Sequence, residues 1–496
     1  MRLSWHSYNY YPYERDLAIR EVTAVLKATA TRSVDGGIEV EHYSDAASAK
    51  HLTYFAGYVN GHGYTETLQN RLENGARLGR NRQATRYSAH GLHEYKGKFN
   101  PQVAKALLNI FDISKGQRVL DPFCGSGTTL VECAHRGAVG LGTDINPLAV
   151  YIANAKLRVL AAPTSALGNT LKNLRSRLRE TRKWTTTLPD DPRGRYLSAW
   201  FDSDILQILE ITKKKIEGAA GDLAPIFLTV ASNLLRDYSL QDPHDLRIRR
   251  RKSSLPETPF IDSFLSSCEQ FLERLDAAHL VLGKTKRAGK AFLCDIANVK
   301  KQCFTTLFDA AITSPPYAMA LPYIDTQRLS LVWLGLLPPD RILELESELI
   351  GSRELRGTYR RKIVGDMLEN GAQLPESAAQ FCITLQNALG ESDGFRRMAV
   401  PTLLYRYFAA MQASFKAVRG VLKAGAPYAL IVGHNHTVLS GARFEINTPA
   451  HLARIAEHVG WRVEEFVELQ TYRRFGLHMS NAVAAEKLLI LRKRWA

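Results

Sequence analysis

An α/β protein built on a mostly parallel sheet, with helical insertions interrupting its strand order, is what this sequence predicts. Three observations carry that expectation. A short apolar strand, Arg118-Val-Leu-Asp121, runs into a glycine turn and then a helix pattern through Leu130, Val131 and Ala134. A second strand, Ala138 to Thr143, ends at an acid, Asp144, and leads through Asn146-Pro147 into another helix. A third, Phe308 to Thr313, opens into Ser314-Pro315-Pro316-Tyr317. Strand, glycine turn, helix and a strand with a terminal acid form the opening of a dinucleotide-type α/β sheet.

At 496 residues the chain is too long for one small domain. Apolar residues make up 45% and charged residues 23%, an ordinary globular composition that excludes global disorder. The net charge of +16 suits a polyanionic partner, with phosphate backbones the commonest. No stretch approaches the roughly 18 apolar residues of a membrane span, so no membrane partner is expected. Met1 to Asp16 holds no apolar h-region, so no secretory signal is expected either. Six cysteines without a CxxC pair exclude a zinc-finger or disulfide framework and fit a reducing cytoplasm.

Along the chain, residues 1–89 form an N-terminal region with no assigned role. They hold a helical stretch from about Glu14 to Thr29 and a glycine-rich, aromatic segment from Tyr54 to Tyr64. A basic run follows, with Arg71, Arg77, Arg80, Arg82 and Arg86. Three separated pieces, 90–160, 290–330 and 400–496, make up the α/β core. Its later strands are expected at Ala291 to Asp295, Tyr428 to Val432, Trp461 to Leu469 and Lys487 to Arg492, with helices at Leu403 to Leu422 and Pro449 to Val459. Residues 161–289 are mostly helical in period, with breaks at Leu188 to Arg193 and Asp242 to Pro259. At about 130 residues that insertion is long enough to be a domain rather than a loop. Residues 331–399 form a second, charge-rich helical insertion.

The string Asp121-Pro122-Phe123-Cys124-Gly125-Ser126-Gly127-Thr128-Thr129 places two glycines where the backbone turns tightly and approaches a ligand. Asp144 stands 23 residues after Asp121, at the next strand end, where a carboxylate can accept both hydroxyls of a ribose. Neither GxGxxG nor a GK[ST] ending is present, and no lysine follows. An acid ahead of the loop suits a cationic or amine-bearing ligand better than a pyrophosphate. Those properties point to S-adenosylmethionine, whose sulfur is positive and whose amino-acid end is zwitterionic.

The nine-residue string resembles the cofactor motif of the amino-methylating DNA methyltransferases, the N4-cytosine and N6-adenine group. Upstream, His90-Gly-Leu-His93-Glu-Tyr-Lys-Gly-Lys98-Phe99-Asn-Pro101-Gln is similar to the segment of that family that folds over the methionine end of the cofactor. The resemblance implies a Rossmann-like class I methyltransferase core over roughly 90–158, 291–330 and 403–493. It implies cofactor contacts from Lys98, Phe99, Asp121, Pro122, Phe123, Gly125, Gly127, Thr128, Thr129, Asp144 and Ile145. Asp295, at a strand end, is a candidate for the adenine amino group of the cofactor and equally a solvated strand-end acid.

The tetrad Ser314-Pro315-Pro316-Tyr317 fits methylation of an exocyclic amine. Such an amine donates its lone pair into the ring and is a poor nucleophile. Acceptors for its N–H groups localise that pair; the Ser314 oxygen and the Pro315 carbonyl can supply them, with two prolines fixing the carbonyl direction. Tyr317 offers a face on which an extruded base can stack, because the target atom is unreachable inside a duplex. Transfer is then direct displacement at the methyl carbon, aided by positioning. By family analogy, serine in the first position goes with cytosine N4, and an acid or asparagine with adenine N6. Cytosine C5 chemistry needs a cysteine beside the proline, and none stands there; Cys124 reads as a small packing residue.

Gly433-His-Asn-His436 is read as polar strand-end histidines, and no metal is expected. Tyr323-Ile-Asp325 to Trp333 is read as a helix flanking the base pocket, or as core. For nucleic-acid contact the candidates are Arg247, Arg249, Arg250, Arg251 and Lys252, then the runs Lys172 to Lys183 and Arg353 to Lys362. Each can equally be a solvated charged face. The insertion 161–289 is the candidate target-recognition region. The expected activity is that of a cytoplasmic, site-specific DNA methyltransferase acting on cytosine N4 in duplex DNA, partnered in restriction-modification or host defence by a cognate restriction endonuclease. Adenine N6 methylation, methylation of a tRNA guanine amine and non-catalytic nucleic-acid binding are the alternatives.

Overall fold

A computed structural model describes residues 1–61, 63–74, 83–179, 190–283, 289–299, 304, 306–319, 324–353, 357–470 and 485–495. Arg77, Arg80, Arg82, Arg182, Lys183, Tyr323 and Arg356 lie outside the described residues.

A seven-stranded sheet organises the chain. Its strands, in chain order, are β1 (Arg118–Asp121), β2 (Val139–Asp144), β3 (Gly289–Leu293), β4 (Ala310–Thr313), β5 (Pro427–Gly433), β6 (Trp461–Gln470) and β7 (Ala485–Lys493). They lie side by side in the order β3-β2-β1-β4-β5-β7-β6. The pairs β1·β2, β2·β3, β1·β4 and β4·β5 are parallel. Only β7 is reversed, antiparallel to both β5 and β6. This is the Rossmann-like sheet expected, with its order reversing beside β1, where such sheets bind ligands.

Side chains alternate across the sheet with the period of two that strands impose. On one face Val119, Ala310, Ile312, Ala429, Ile431, Leu488 and Ile490 join a core with helix Pro101–Ile110 and the N-terminal region. On the other, Leu120, Ala311, Tyr428, Leu430, Val432, Leu489 and Leu491 pack with helices Val400–Val421 and Thr448–His458 and with the second insertion. The long helices of residues 161–289 share a third apolar cluster with α1 (Thr128–Arg136) and α2 (Pro147–Ala161).

The N-terminal region contains more sheet than its sequence suggested. Arg2–Trp5, Ala30–Val34, Gly37–Glu41, Phe55–Val59 and Tyr64–Glu66 form an antiparallel five-stranded sheet, with helix Pro12–Leu26 beside it. Ala30–Val34 and Tyr64–Glu66 are short and largely exposed, so they lack the apolar alternation that reveals a strand. Arg20 ties the helix to Glu465 of β6 through both carboxylate oxygens. Among the described residues no helix is long and apolar enough to cross a membrane.

Candidate active site at the carboxyl edge of the sheet

β1 ends at Asp121, which is buried, and its Oδ1 accepts the Phe123 amide at 3.2 Å and the Thr313 hydroxyl at 2.6 Å. Burial pushes this carboxyl up to about 6, against the opposing pull of those donors. The turn that follows needs its glycines. Gly125 and Gly127 have φ of +48° and +81°, and a Cβ on Gly127 would sit 2.9 Å from the Ala153 Cβ of α2. Cys124 fills the space beside Gly142, where a Cβ would come within 2.5 Å of its own, and burial drives its thiol far up, as suits a packing residue. Thr128 and Thr129 are buried in the first turn of α1, and the Pro122 carbonyl accepts the Thr143 hydroxyl at 2.9 Å.

Asp144 ends β2 and closes the loop. Its Oδ2 accepts the Gly125 amide and its Oδ1 the Asn146 amide, each at 2.9 Å. Burial pushes this carboxyl up to about 6 as well. Asn146 caps α2 through the Leu148 amide at 3.0 Å, so the start of that helix fixes the acid. Ile145 is partly buried beside it. Phe123 packs instead toward the opposite cluster. Asp295 follows β3 and caps a short turn by accepting the Ala297 amide at 2.9 Å.

The segment around residues 87–99 is stapled over α1. Glu132 Oε1 accepts the Tyr87 hydroxyl at 2.9 Å and faces His90 Nε2 at 2.7 Å, with His135 Nδ1 at 3.3 Å. Burial holds His90 at about 3, so its ring is neutral. His90, Glu132 and His135 could geometrically hold a metal ion. With the Tyr87 hydroxyl and His90 Nε2 on one Glu132 oxygen, and His135 Nε2 2.9 Å from the Ser88 hydroxyl, the group reads as a hydrogen-bonded staple. The staple places Tyr95 against the loop, its ring 3.4 Å from where a Gly125 Cβ would lie. Lys98 donates to the Thr85 carbonyl at 3.1 Å, and Phe99 packs into the cluster on the N-terminal face of the sheet.

Beneath the loop lies a residue the sequence did not single out. Lys156 of α2 is fully buried, and its ammonium reaches the Ser126 hydroxyl at 3.1 Å. Burial first, and then Lys98, push its pKa well down. The signal was in the helix period: Ala149, Ile152, Ala153 and Leu160 share its face and are all apolar.

The tetrad follows β4 at the same edge. Ser314 Oγ donates to the Ile431 carbonyl of β5 at 3.2 Å. Tyr317 donates to Glu486 of β7, and its ring lies 2.9 Å from where a Cβ on Gly433 would stand. The next turn is pinned twice: Asn435 donates to the Ala318 carbonyl at 2.8 Å, and Arg353 Nε to the Met319 carbonyl at 2.9 Å. Leu329, Leu331, Val332 and Trp333 are core. Of the basic candidates, Arg251 is folded inward onto the Asp237 and Ser239 carbonyls, Arg250 lies over the Trp200 ring, and Arg249 pairs with Asp245. Arg247 and Lys252 remain on the outside.

Two ionisable acids and a turn with glycines at its two positive-φ positions fit a cationic, ribose-bearing ligand, and the tetrad follows the neighbouring strand at the same edge. Residues 92–147, which span this loop through Asp144, match the family UPF0020, an RMKL-like methyltransferase domain. The chain is 26% identical over 373 residues to type II methyltransferase M.MvaI of Kocuria varians, covering 71% of this chain and 78% of that protein. It is 23% identical over 407 residues to type II methyltransferase M.AvaI of Nostoc sp., 76% of this chain and 80% of that one. A 52-residue stretch is 38% identical to a tRNA (guanine(10)-N2)-dimethyltransferase of Methanothermobacter thermautotrophicus, 10% of this chain and 16% of that protein. Among solved structures, TrmN from Thermus thermophilus superposes over 99% of this chain and 98% of its own at 10% identity, loosely, with a TM-score of 0.33. The chain is thus similar over most of its length to type II methyltransferases and carries a methyltransferase domain on a Rossmann-like core, with S-adenosylmethionine as cofactor.

Proposed function

We propose that this chain is a site-specific DNA methyltransferase that modifies the exocyclic N4 of cytosine in duplex DNA, alongside a cognate restriction endonuclease. Bound S-adenosylmethionine would supply a methyl group on a positively charged sulfur. Asp144 would accept the ribose hydroxyls, Asp121 would set the negative field of the loop, and Tyr95 would cover it.

One observation carries the choice of an amine target. The Ser314 hydroxyl directs its proton to the Ile431 carbonyl, which leaves its lone pairs as acceptors. A base N–H can then be held by that oxygen and by the Pro315 carbonyl, with the nitrogen lone pair turned toward the donor. No general base is needed before transfer, since the methylated amine loses its proton afterwards. Tyr317, braced by Glu486 and Gly433, would support an extruded base. Serine in the first position favours cytosine over adenine.

DNA is preferred to RNA because similarity to the type II enzyme runs over 71% of the chain, and similarity to the tRNA enzyme over 10%. The large insertion 161–289 would read the target. Mass spectrometry of nucleosides from DNA treated with the protein tests the assignment. N4-methylcytosine is expected. N6-methyladenine would overturn the base, and modification of tRNA alone would overturn the substrate.

A further inference from the structure

One arginine bonds the turn that follows Tyr317, and two more, from distant parts of the chain, lie on elements that are tied to it or to the residues after it. Arg353 is bonded to the Met319 carbonyl at 2.9 Å. Arg396 lies on the short helix Phe395–Met398, which packs against strand Asn435–Leu439, and Asn435 holds the Ala318 carbonyl at 2.8 Å. Arg247 belongs to the loop after Gln241, whose side chain donates to the Asp325 carbonyl at 3.0 Å. Burial first, and then the positive charges of Arg247 and Arg396, hold the Arg353 guanidinium below its ordinary value.

The neighbours of these residues behave differently. Arg249 is paired with Asp245 at 3.0 Å and Arg397 with Asp393 at 3.8 Å. Arg247 and Arg396 are exposed, Arg353 is covered in part by the turn it bonds, and among the described residues none of their side chains is joined to a carboxylate. Like charges with no acid joined to their side chains repel, and an arriving anion relieves that repulsion. The guanidinium fork matches the oxygens of a phosphate. Base extrusion swings the flanking backbone toward the pocket, so phosphates should lie beside this turn.

We propose that Arg247, Arg353 and Arg396 form a phosphate clamp that grips the DNA backbone flanking the extruded base. This rests on the DNA-methylating reading above. Each insertion then has a stated part: 161–289 contributes Arg247, and 331–399 contributes Arg353 and Arg396. Arg247 and Arg396 make no side-chain bond to the turn, so their variants test the clamp without disturbing the fold.

The experiment compares the protein with R247Q, R396Q, R353Q and the triple variant, using a duplex that the unaltered protein methylates. Cofactor affinity should be unchanged in all four. The slope of log affinity against log salt should fall by about 0.9 for each phosphate that an arginine no longer neutralises, or about 2.7 in the triple variant. Neutral methylphosphonates at the phosphates flanking the target base should weaken binding by the unaltered protein and have no further effect on the triple variant. R443Q, at an exposed arginine paired with Glu445, should leave the slope alone. If the unaltered protein methylates DNA while the triple variant keeps both slope and methylphosphonate sensitivity, the clamp is wrong. If the unaltered protein methylates no DNA, the parent reading is what fails.

Discussion

Thr313, the last residue of β4, donates a 2.6 Å hydrogen bond to Asp121, the last residue of the neighbouring parallel strand β1. The bond joins the acid that opens the glycine loop to the residue immediately before Ser314. In the proposed reaction the bond would hold the donor and acceptor sites in one register, and a fixed reach between reacting atoms is what a displacement at carbon requires.

Thr313→Val keeps the shape and removes this bond. Stability at pH 8 should fall by about 1.5–3 kcal/mol, the usual worth of a hydrogen bond to a charged group. The Asp121 carboxyl should rise further, because the hydroxyl now stabilises its ionised form. Thermal melting together with steady-state kinetics checks this. A fall in kcat with little change in KM for cofactor is expected, and unchanged kcat would rule out the alignment role.

Asp121 and Asp144 both sit at about 6, above the ordinary carboxylate value of 3.8. In the free protein, folding therefore takes up protons between about pH 4 and 6, and their contribution to stability falls as pH rises through that window. A cationic cofactor with ribose donors favours the ionised forms and has the opposite sign. Binding at pH 6 should release protons, with almost none released at pH 8, and affinity should decline as pH drops below 6. Calorimetry in buffers of different ionisation enthalpy reads the release directly. Asp144→Asn should reduce it; zero release at pH 6 in the unaltered protein would refute the assignment.

How much of this was legible beforehand follows from what each residue does locally. The loop glycines, Asp121, Asp144 and Ser314 to Tyr317 announce themselves because a tight turn and a strand end demand particular residue types. Thr313, Glu486, Gly433 and Ile431 do not, since they act across strands 100 or more residues apart, and pairing order is not written in any window of sequence. The parallel strands of the core read clearly as apolar runs, whereas Ala30–Val34 and Tyr64–Glu66 are exposed and polar. The Arg247 to Lys252 run looked uniform in sequence, yet Arg251 is a brace for its own loop. Charge count cannot separate a clamp from a brace.

Lys156 tests whether the floor of the loop matters. A buried ammonium with Ser126 as its hydrogen-bond partner is costly, so Lys156→Met should leave the melting temperature unchanged or raise it. Cofactor affinity should weaken by up to about tenfold, the effect of one hydrogen bond that orders the loop. Equal affinity would mean that Lys156 is only a tolerated core residue.

Tyr317 separates bracing from stacking. Its hydroxyl is tied to Glu486, and its ring is set against Gly433. Tyr317→Phe removes the tie and keeps the ring, so kcat/KM for DNA should fall modestly. Tyr317→Ala removes the face itself and should cost about 1–3 kcal/mol, the range for one base stacked on an aromatic side chain. Cofactor affinity should hold in both variants, because the proposed site puts the ring on the side of the base. Fluorescence of 2-aminopurine at the target position should rise on binding in the unaltered protein as the base leaves the stack, and should change again in Tyr317→Ala. If phenylalanine is as damaging as alanine, the bond to Glu486 is what positions the tetrad, and the stacking role is lost.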